Sequence, residues 1–274
     1  MSASRLSHEL AMAQAAALAA GAAIEAVGPT QQVNKSDGSP VTAADLAANQ
    51  ALIETLRGHF PHDGWLSEES VDGPERLGCE RVWVVDPLDG TRDFVARTGE
   101  FSVHVALVID GQAQVAAVLE PSAGRLSWAV AGEGAFMSER RGPTRRLRVS
   151  EQNRLAAFRI GTSRFAANAA LHSFLADSPP LARTGMGAST KMMALARGEL
   201  DACVWLSSAE KEWDTCAPAL IVTEAGGCVT DADGRAFTYN RPDVRHGRGI
   251  LASNGLCHGL LRQRAQRAFP GTSA

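Results

Sequence analysis

The sequence predicts an α+β protein in two halves, an antiparallel-sheet half over residues 1–140 and a smaller α/β half over residues 141–274. Three observations carry this. Two helical patterns precede a run of short apolar stretches separated by tight-turn signals, as in a sheet covered by helices. After about Arg141 strands and helices alternate instead. The composition, 45% apolar and 21% charged over 274 residues, is globular, and the chain is long enough to bury a core without staples.

The first helix runs from Ser4 to about Val27 on the spacing of Leu6, Leu10, Ala13 and Ala17, and stops at Gly28-Pro29. Its Ala-rich stretch, Ala15 to Ile24, falls short of the roughly 20 apolar residues of a bilayer span. It therefore reads as a soluble amphipathic helix, neither a leader nor a membrane anchor. Lys35 to Pro40 is a turn-rich loop, and Thr42 and Asp45 have capping-box spacing before a helix to Leu56. Arg81 to Asp86 is an apolar run broken at Pro87, hence a buried strand. Phe101 to Ile109 alternates and stops at the hairpin dipeptide Asp110-Gly111. Strands at Ala113–Leu119 and Leu126–Val130 follow.

The arginine-rich stretch Arg141 to Arg148 reads as a solvated link between the halves rather than a phosphate patch. Beyond it, strands are expected at Leu155–Ile160, Asp201–Leu206, Cys228–Thr230 and Gly249–Ala252. Helices are expected at Ala166–Leu175, Ala188–Gly198 and Trp213–Ala225, with a last one from about Asn254.

Composition excludes several classes of function. A formal net charge of −3 and a single tyrosine argue against a nucleic-acid polymer as partner. Five scattered cysteines form neither a disulfide framework nor a zinc set, and fit a reducing cytoplasm. No His-x-x-x-His pair occurs among the seven histidines. His104, in a strand, reads as a packed or solvent-facing residue, and Asp231-Ala-Asp-Gly234 as a turn.

The chemistry concentrates at Asp86-Pro-Leu-Asp-Gly-Thr91. Two carboxylates at a strand end can share a hard cation. Gly90 lets backbone approach a ligand, and Thr91 opens a short helix whose free N–H groups favour a phosphate. Alone, such a loop is better explained as a capped turn. Glu68 in Ser67-Glu-Glu69 and Asp214 after Trp213 add carboxylates at other element ends.

Trp83-Val-Val-Asp-Pro-Leu-Asp-Gly-Thr-Arg-Asp-Phe94 and Trp213-Asp-Thr-Cys-Ala-Pro-Ala-Leu-Ile-Val-Thr-Glu-Ala-Gly-Gly227 resemble the two signatures of the inositol monophosphatase superfamily. With Asp37 to Asp45 and Ser67 to Glu69, the resemblance covers nearly the whole chain. The continuation Gly99-Glu-Phe-Ser-Val-His-Val-Ala-Leu107 is most similar to the 3'(2'),5'-bisphosphate nucleotidases of sulfur assimilation.

The resemblance implies a layered αβαβα fold and a Mg²⁺-dependent, lithium-sensitive phosphomonoesterase, and by analogy a homodimer. It implies one Mg²⁺ on Glu68, Asp86 and the Leu88 carbonyl, and a second on Asp86, Asp89 and Asp214. Thr91 would orient the attacking water, and Asp45 would accept its proton or hold a third ion. Gly90 and Thr91 N–H groups would hold the phosphate, with Arg164 and Lys191 binding the rest of the substrate. Phe165 or Trp205 would then wall the base.

The substrate implied is 3'-phosphoadenosine 5'-phosphate, cleaved to AMP and phosphate. Departures from the nucleotidase pattern keep alternatives open. No His follows Ser163-Arg-Phe165, Ala188 replaces a serine, and Trp205-Leu-Ser-Ser208 stands where an arginine is usual. An inositol-1-phosphate or sugar-phosphate phosphatase is the first alternative. A non-catalytic phosphate-ligand binder is the second, and the water-activating pair Asp45 and Thr91 argues against it.

Overall fold

The computed structural model describes residues 5–28, 32–34, 40–140, 142–164, 168–176, 182–187 and 190–270. Helix α1 (Ser7–Val27) packs on α2 (Ala43–Arg57), and a short antiparallel pair, β1 (Val33–Asn34) and β2 (Pro40–Val41), lies between them in sequence. The apolar side of α1 is made of Ala13, Ala16, Ala17, Ala20 and Ile24. Small residues bring α1 close to the sheet, and a Cβ at Gly21 would overlap Leu119. By length and composition α1 could also cross a bilayer; here that apolar side is buried in a protein core.

A seven-stranded sheet follows: β3 (Gly64–Ser67), β4 (Arg81–Asp89), β5 (Ser102–Ile109), β6 (Gln112–Glu120), β7 (Arg125–Val130), β8 (Gly134–Glu139) and β9 (Arg145–Arg146), in that spatial order. Only β3 and β4 run parallel. A short helix, α3 (Thr91–Val95), separates β4 from β5.

The second sheet alternates with helices: β10 (Arg159–Ser163), α4 (Ala169–Ala176), β11 (Ala182–Met186), α5 (Thr190–Ala196), β12 (Ala202–Trp205), α6 (Glu212–Glu224), β13 (Cys228–Thr230), β14 (Ile250–Ser253) and α7 (His258–Ala268). Its order is β11-β10-β12-β14-β13, parallel through the first three strands and antiparallel after.

The side-chain period of two sorts each strand between cores. Trp83, Val85, Val103, Val105 and Leu107 face α1 and α2, whereas Val82, Val84, Ala106 and Val108 face the middle layer with Cys216, Ala217 and Ile221 of α6. On its far side the middle layer meets Cys203 and Ala252, while Ile160, Val204 and Leu251 pack under Phe174 of α4 and Leu261 of α7. This is the five-layer αβαβα arrangement. Helix α6 is buried on nearly every face because sheets lie on both sides of it, which is why its sequence is apolar all round.

Several expectations are corrected. Phe101–Ile109 shows no alternation in burial, because β5 is covered on both faces. Leu155–Ala157 forms a 3₁₀ turn, and the strand begins at Arg159. Within the expected link, Arg145–Arg146 pairs as an exposed edge strand on β8; Arg141 lies outside the described residues. Strand β3 comes between the second helix and Ser67-Glu68-Glu69. Helix α4 begins later than expected, after Asn168, and the expected starts at Ala166 and Ala188 lie outside the described residues. Ser4 and most of Lys35–Pro40 also lie outside them. Asp231 closes its turn as read, accepting from the N–H groups of Asp233 and Arg235 at 2.8 Å each.

Candidate active site

Strand β4 does not end at Asp86. It continues to Asp89 through a bulge, since Asp86 pairs with His104 while Asp89 pairs with Ser102. One extra residue on β4 therefore bows out, and Pro87, which has no N–H to offer the ladder, is tolerated there. The Leu88 N–H donates to Asp86 Oδ1 at 3.1 Å. Gly90 then takes φ 95°, a conformation that strains any side chain, and turns the chain into α3 at Thr91.

Glu68 lies one residue past β3, whose parallel register sets Ser67 beside Val85. Its loop is fastened to α2 by Asn49, a residue the sequence reading missed. Asn49 Oδ1 accepts from Ser67 Oγ at 2.7 Å, and its amide donates to Ser70 Oγ at 3.2 Å and to the Glu69 carbonyl at 3.4 Å. The available signal was its spacing, four residues after Asp45 and so on the same helix face. Asp214 comes from the first turn of α6, where its Oδ2 accepts from the Lys211 N–H at 2.6 Å.

Oxygen atoms of Glu68, Asp86 and Asp214 converge within 4.8 Å of one another. Burial, then the neighbouring carboxylates Glu68 and Asp89, push the Asp86 pKa well above its ordinary value. Burial, then Asp89 and Glu68, do the same for Asp214. Asp86 Oδ2 is buried and has no hydrogen-bond partner among the described residues. An orphaned carboxylate oxygen facing two further carboxylates fits a hard divalent cation: an all-oxygen donor set suits Mg²⁺, and its charge would relieve the repulsion.

Asp45 divides its oxygens between two tasks. Oδ2 accepts from the Thr42 N–H at 2.8 Å and from Thr42 Oγ1 at 2.5 Å, completing the capping box of α2. Oδ1 accepts from Thr91 Oγ1 at 3.0 Å. The Thr91 hydroxyl also lies 3.4 Å from the Leu88 carbonyl, a weaker contact. Capping and a place in the site are thus compatible, because each uses a different oxygen.

The remaining candidates lie further out. Lys191 is fully buried on α5, its ammonium 4.1 Å from the ring centre of Trp205, and burial lowers its pKa to about 8 against the pull of Asp89. Arg164 is engaged within the chain, donating to Asp93 Oδ1 at 2.5 Å and to Glu100 Oε2 at 2.8 Å. Phe165 lies outside the described residues. His104 is packed, not solvent-facing. A cavity of about 600 Å³ beside Arg5, Arg81 and Asp110 includes none of the site carboxylates.

The profile of the Inositol monophosphatase family matches residues 5–268. The 3'(2'),5'-bisphosphate nucleotidase CysQ of Escherichia coli K12 is 34% identical over 212 residues, 77% of this chain and 84% of its own. The inositol-1-monophosphatase of Caulobacter vibrioides is 33% identical over 248 residues, 86% of this chain and 91% of its own. Among solved structures, an inositol monophosphatase from Anabaena matches with a TM-score of 0.78 at 28% identity, covering 96% of this chain and 97% of its own. CysQ from Bacteroides thetaiotaomicron matches at 0.77 and 26%, covering 90% and 97%.

Proposed function

This chain belongs to the inositol monophosphatase family and is a phosphatase, and we propose that it is a cytoplasmic, Mg²⁺-dependent, lithium-sensitive enzyme that removes the 3'-phosphate of 3'-phosphoadenosine 5'-phosphate. The observation that carries the metal dependence is the convergence of Glu68, Asp86 and Asp214 around the orphaned Asp86 oxygen. In this reading Glu68, Asp86 and the Leu88 carbonyl would hold one ion, and Asp86, Asp89 and Asp214 would hold a second. The ions supply positive charge that offsets the repulsion between a phosphate ester and its nucleophile.

The chain's own groups do the rest. With its proton on Asp45 Oδ1, the Thr91 hydroxyl oxygen accepts a hydrogen bond from water and so aims it. As the water loses its proton to Thr91 Oγ1, the Thr91 hydroxyl proton passes to Asp45 Oδ1, which is the final acceptor. Backbone N–H groups of Gly90 and Thr91 hold the phosphate. Arg164 and Lys191 are assigned to the second phosphate and the nucleoside.

One observation favours an inositol-phosphate substrate as the second reading: Arg164 already holds two carboxylates, and a second phosphate would have to displace them. Phosphate release from the bisphosphate nucleotide, inositol-1-phosphate and a sugar phosphate, each with Mg²⁺ and with chelator, tests both readings. Preference for the nucleotide with loss under chelator is expected. Faster turnover of the inositol ester would install the second reading, and chelator-resistant turnover would remove the metal.

A further inference from the structure

His104 sits at the join between the two sources of carboxylates. On β5 it is the register partner of Asp86, and Ser102, two residues earlier, is the partner of Asp89. Its side chain points to the α6 face of the sheet, the face it shares with Ala106 and Val108, and it is fully buried there. Nδ1 lies 3.1 Å from the carbonyl of Trp213, the residue before Asp214. Nε2 lies 3.0 Å from Ser102 Oγ and 3.7 Å from Asp89 Oδ2.

These partners fix the tautomer. A carbonyl can only accept, so Nδ1 must carry a proton. In the neutral ring, that proton on Nδ1 leaves Nε2 as the acceptor. Ser102 Oγ–H then donates to Nε2. The ring becomes a rigid strut between the strand backing the bulge and the first turn of α6.

We propose that His104 is a positioning residue for the metal site: its Nδ1–H ties the Trp213 carbonyl to the strand paired with Asp86 and Asp89, and so sets the separation of the carboxylates brought by β4 and α6. This rests on the metal-dependent reading above. Removing a group that orients a metal ligand typically costs about 10–100-fold in metal affinity, and that is the scale expected here.

The test separates the tie from simple filling of space. Mg²⁺ binding is measured by calorimetry on the wild type and on His104→Asn, His104→Gln and His104→Phe, with folding checked by circular dichroism. An Asn amide nitrogen overlays Nδ1 and keeps the tie, whereas a Gln amide reaches the Nε2 position and Phe keeps only the volume. Near-wild-type Mg²⁺ affinity is expected in His104→Asn, with a loss of roughly tenfold or more in the other two. Equal affinity in all four proteins, or a better-binding Gln than Asn variant, would overturn the proposal.

A wild type that binds no Mg²⁺ would instead remove the metal reading on which the proposal stands. Nitrogen-15 spectra of the metal-free wild type give a readout that needs neither metal nor variant. A proton on Nδ1 of His104 is expected, and one on Nε2 alone would refute the strut.

Discussion

Replacing Asp45 by Asn separates two roles that one carboxylate carries. Asp45 is buried, with Oδ2 committed to Thr42 and Oδ1 to Thr91. An Asn carbonyl can still accept from the Thr42 N–H, so the box is weakened rather than lost. Exchanging charged for neutral hydrogen bonds costs on the order of 1 kcal/mol. Removing a negative charge near Asp86, whose pKa Asp45 helps to raise, offsets part of this. Stability should therefore stay within about 1 kcal/mol of wild type.

Turnover should behave differently. An amide at Oδ1 presents a donor to Thr91 or a poor base, and it takes no proton. A positioned general base is worth about 10²–10⁴-fold, or about 3–5 kcal/mol at roughly 1.4 per tenfold. Phosphate release at saturating Mg²⁺ measures the loss, urea unfolding measures stability, and Thr91→Ser, which keeps the hydroxyl, is the active control. A rate within a few-fold of wild type would leave Asp45 as a helix cap only. An equal collapse of stability and rate would refute the division of its oxygens.

Mg²⁺ at about 100 times its dissociation constant should stabilise the fold by ~2.7 kcal/mol, with Asp86→Asn abolishing the shift in melting temperature; an unshifted wild type would refute the ion site. Truncating Arg164 or Lys191 should raise KM for the bisphosphate nucleotide more than for inositol-1-phosphate, and equal changes would refute a dedicated second-phosphate pocket. Burial, helped by Arg241, holds His246 down at about 3 against an ordinary 6.5. Its contribution is intact above pH 6.5 and is lost progressively as pH falls toward 3, the loss reaching on the order of 2 kcal/mol by pH 5. Urea midpoints should therefore fall less between pH 7 and 5 in His246→Gln, which keeps a partner for Thr215, and an unchanged slope would refute this.

The fold was legible where local chemistry decides structure. Asp110-Gly111 marked its hairpin, and Thr42 and Asp45 opened α2. Legibility failed where distant contacts decide. Nothing near Pro87 in sequence reveals that β5 will hold β4 past it, so the strand seemed to stop at Asp86 when it bulges to Asp89. Nor can Phe101–Ile109 show that both its faces are covered, since the helix on one side arrives more than a hundred residues later.

The site divides the same way. Asp86 and Asp214 were legible because they lie in two long signatures, and Glu68 because it sits in the acidic run after Ser67, yet what holds them was not. Asn49 and His104 act across layers, on Ser67 and on Trp213, and no spacing rule links residue 104 to residue 213. Arg164 makes the same point about substrate. Sequence placed it at a binding position, but not between Asp93 and Glu100. An arginine so paired is a selective anion site only for a ligand that can displace carboxylates. A phosphate carries about −1.5 to −2 charge against one on each carboxylate, so exchange is feasible but competitive. Nucleotide preference then depends on the balance between a second phosphate and Asp93 with Glu100, and in Arg164→Ala Asp93 loses its cation while keeping the hydrogen bond from Thr98. Charge at 93 and 100 should therefore tune KM for a bisphosphate substrate, with Glu100→Gln lowering it by loosening the competitor. A higher KM in Glu100→Gln would mean that the pairing holds Arg164 in place for substrate, and the competition argument would fall.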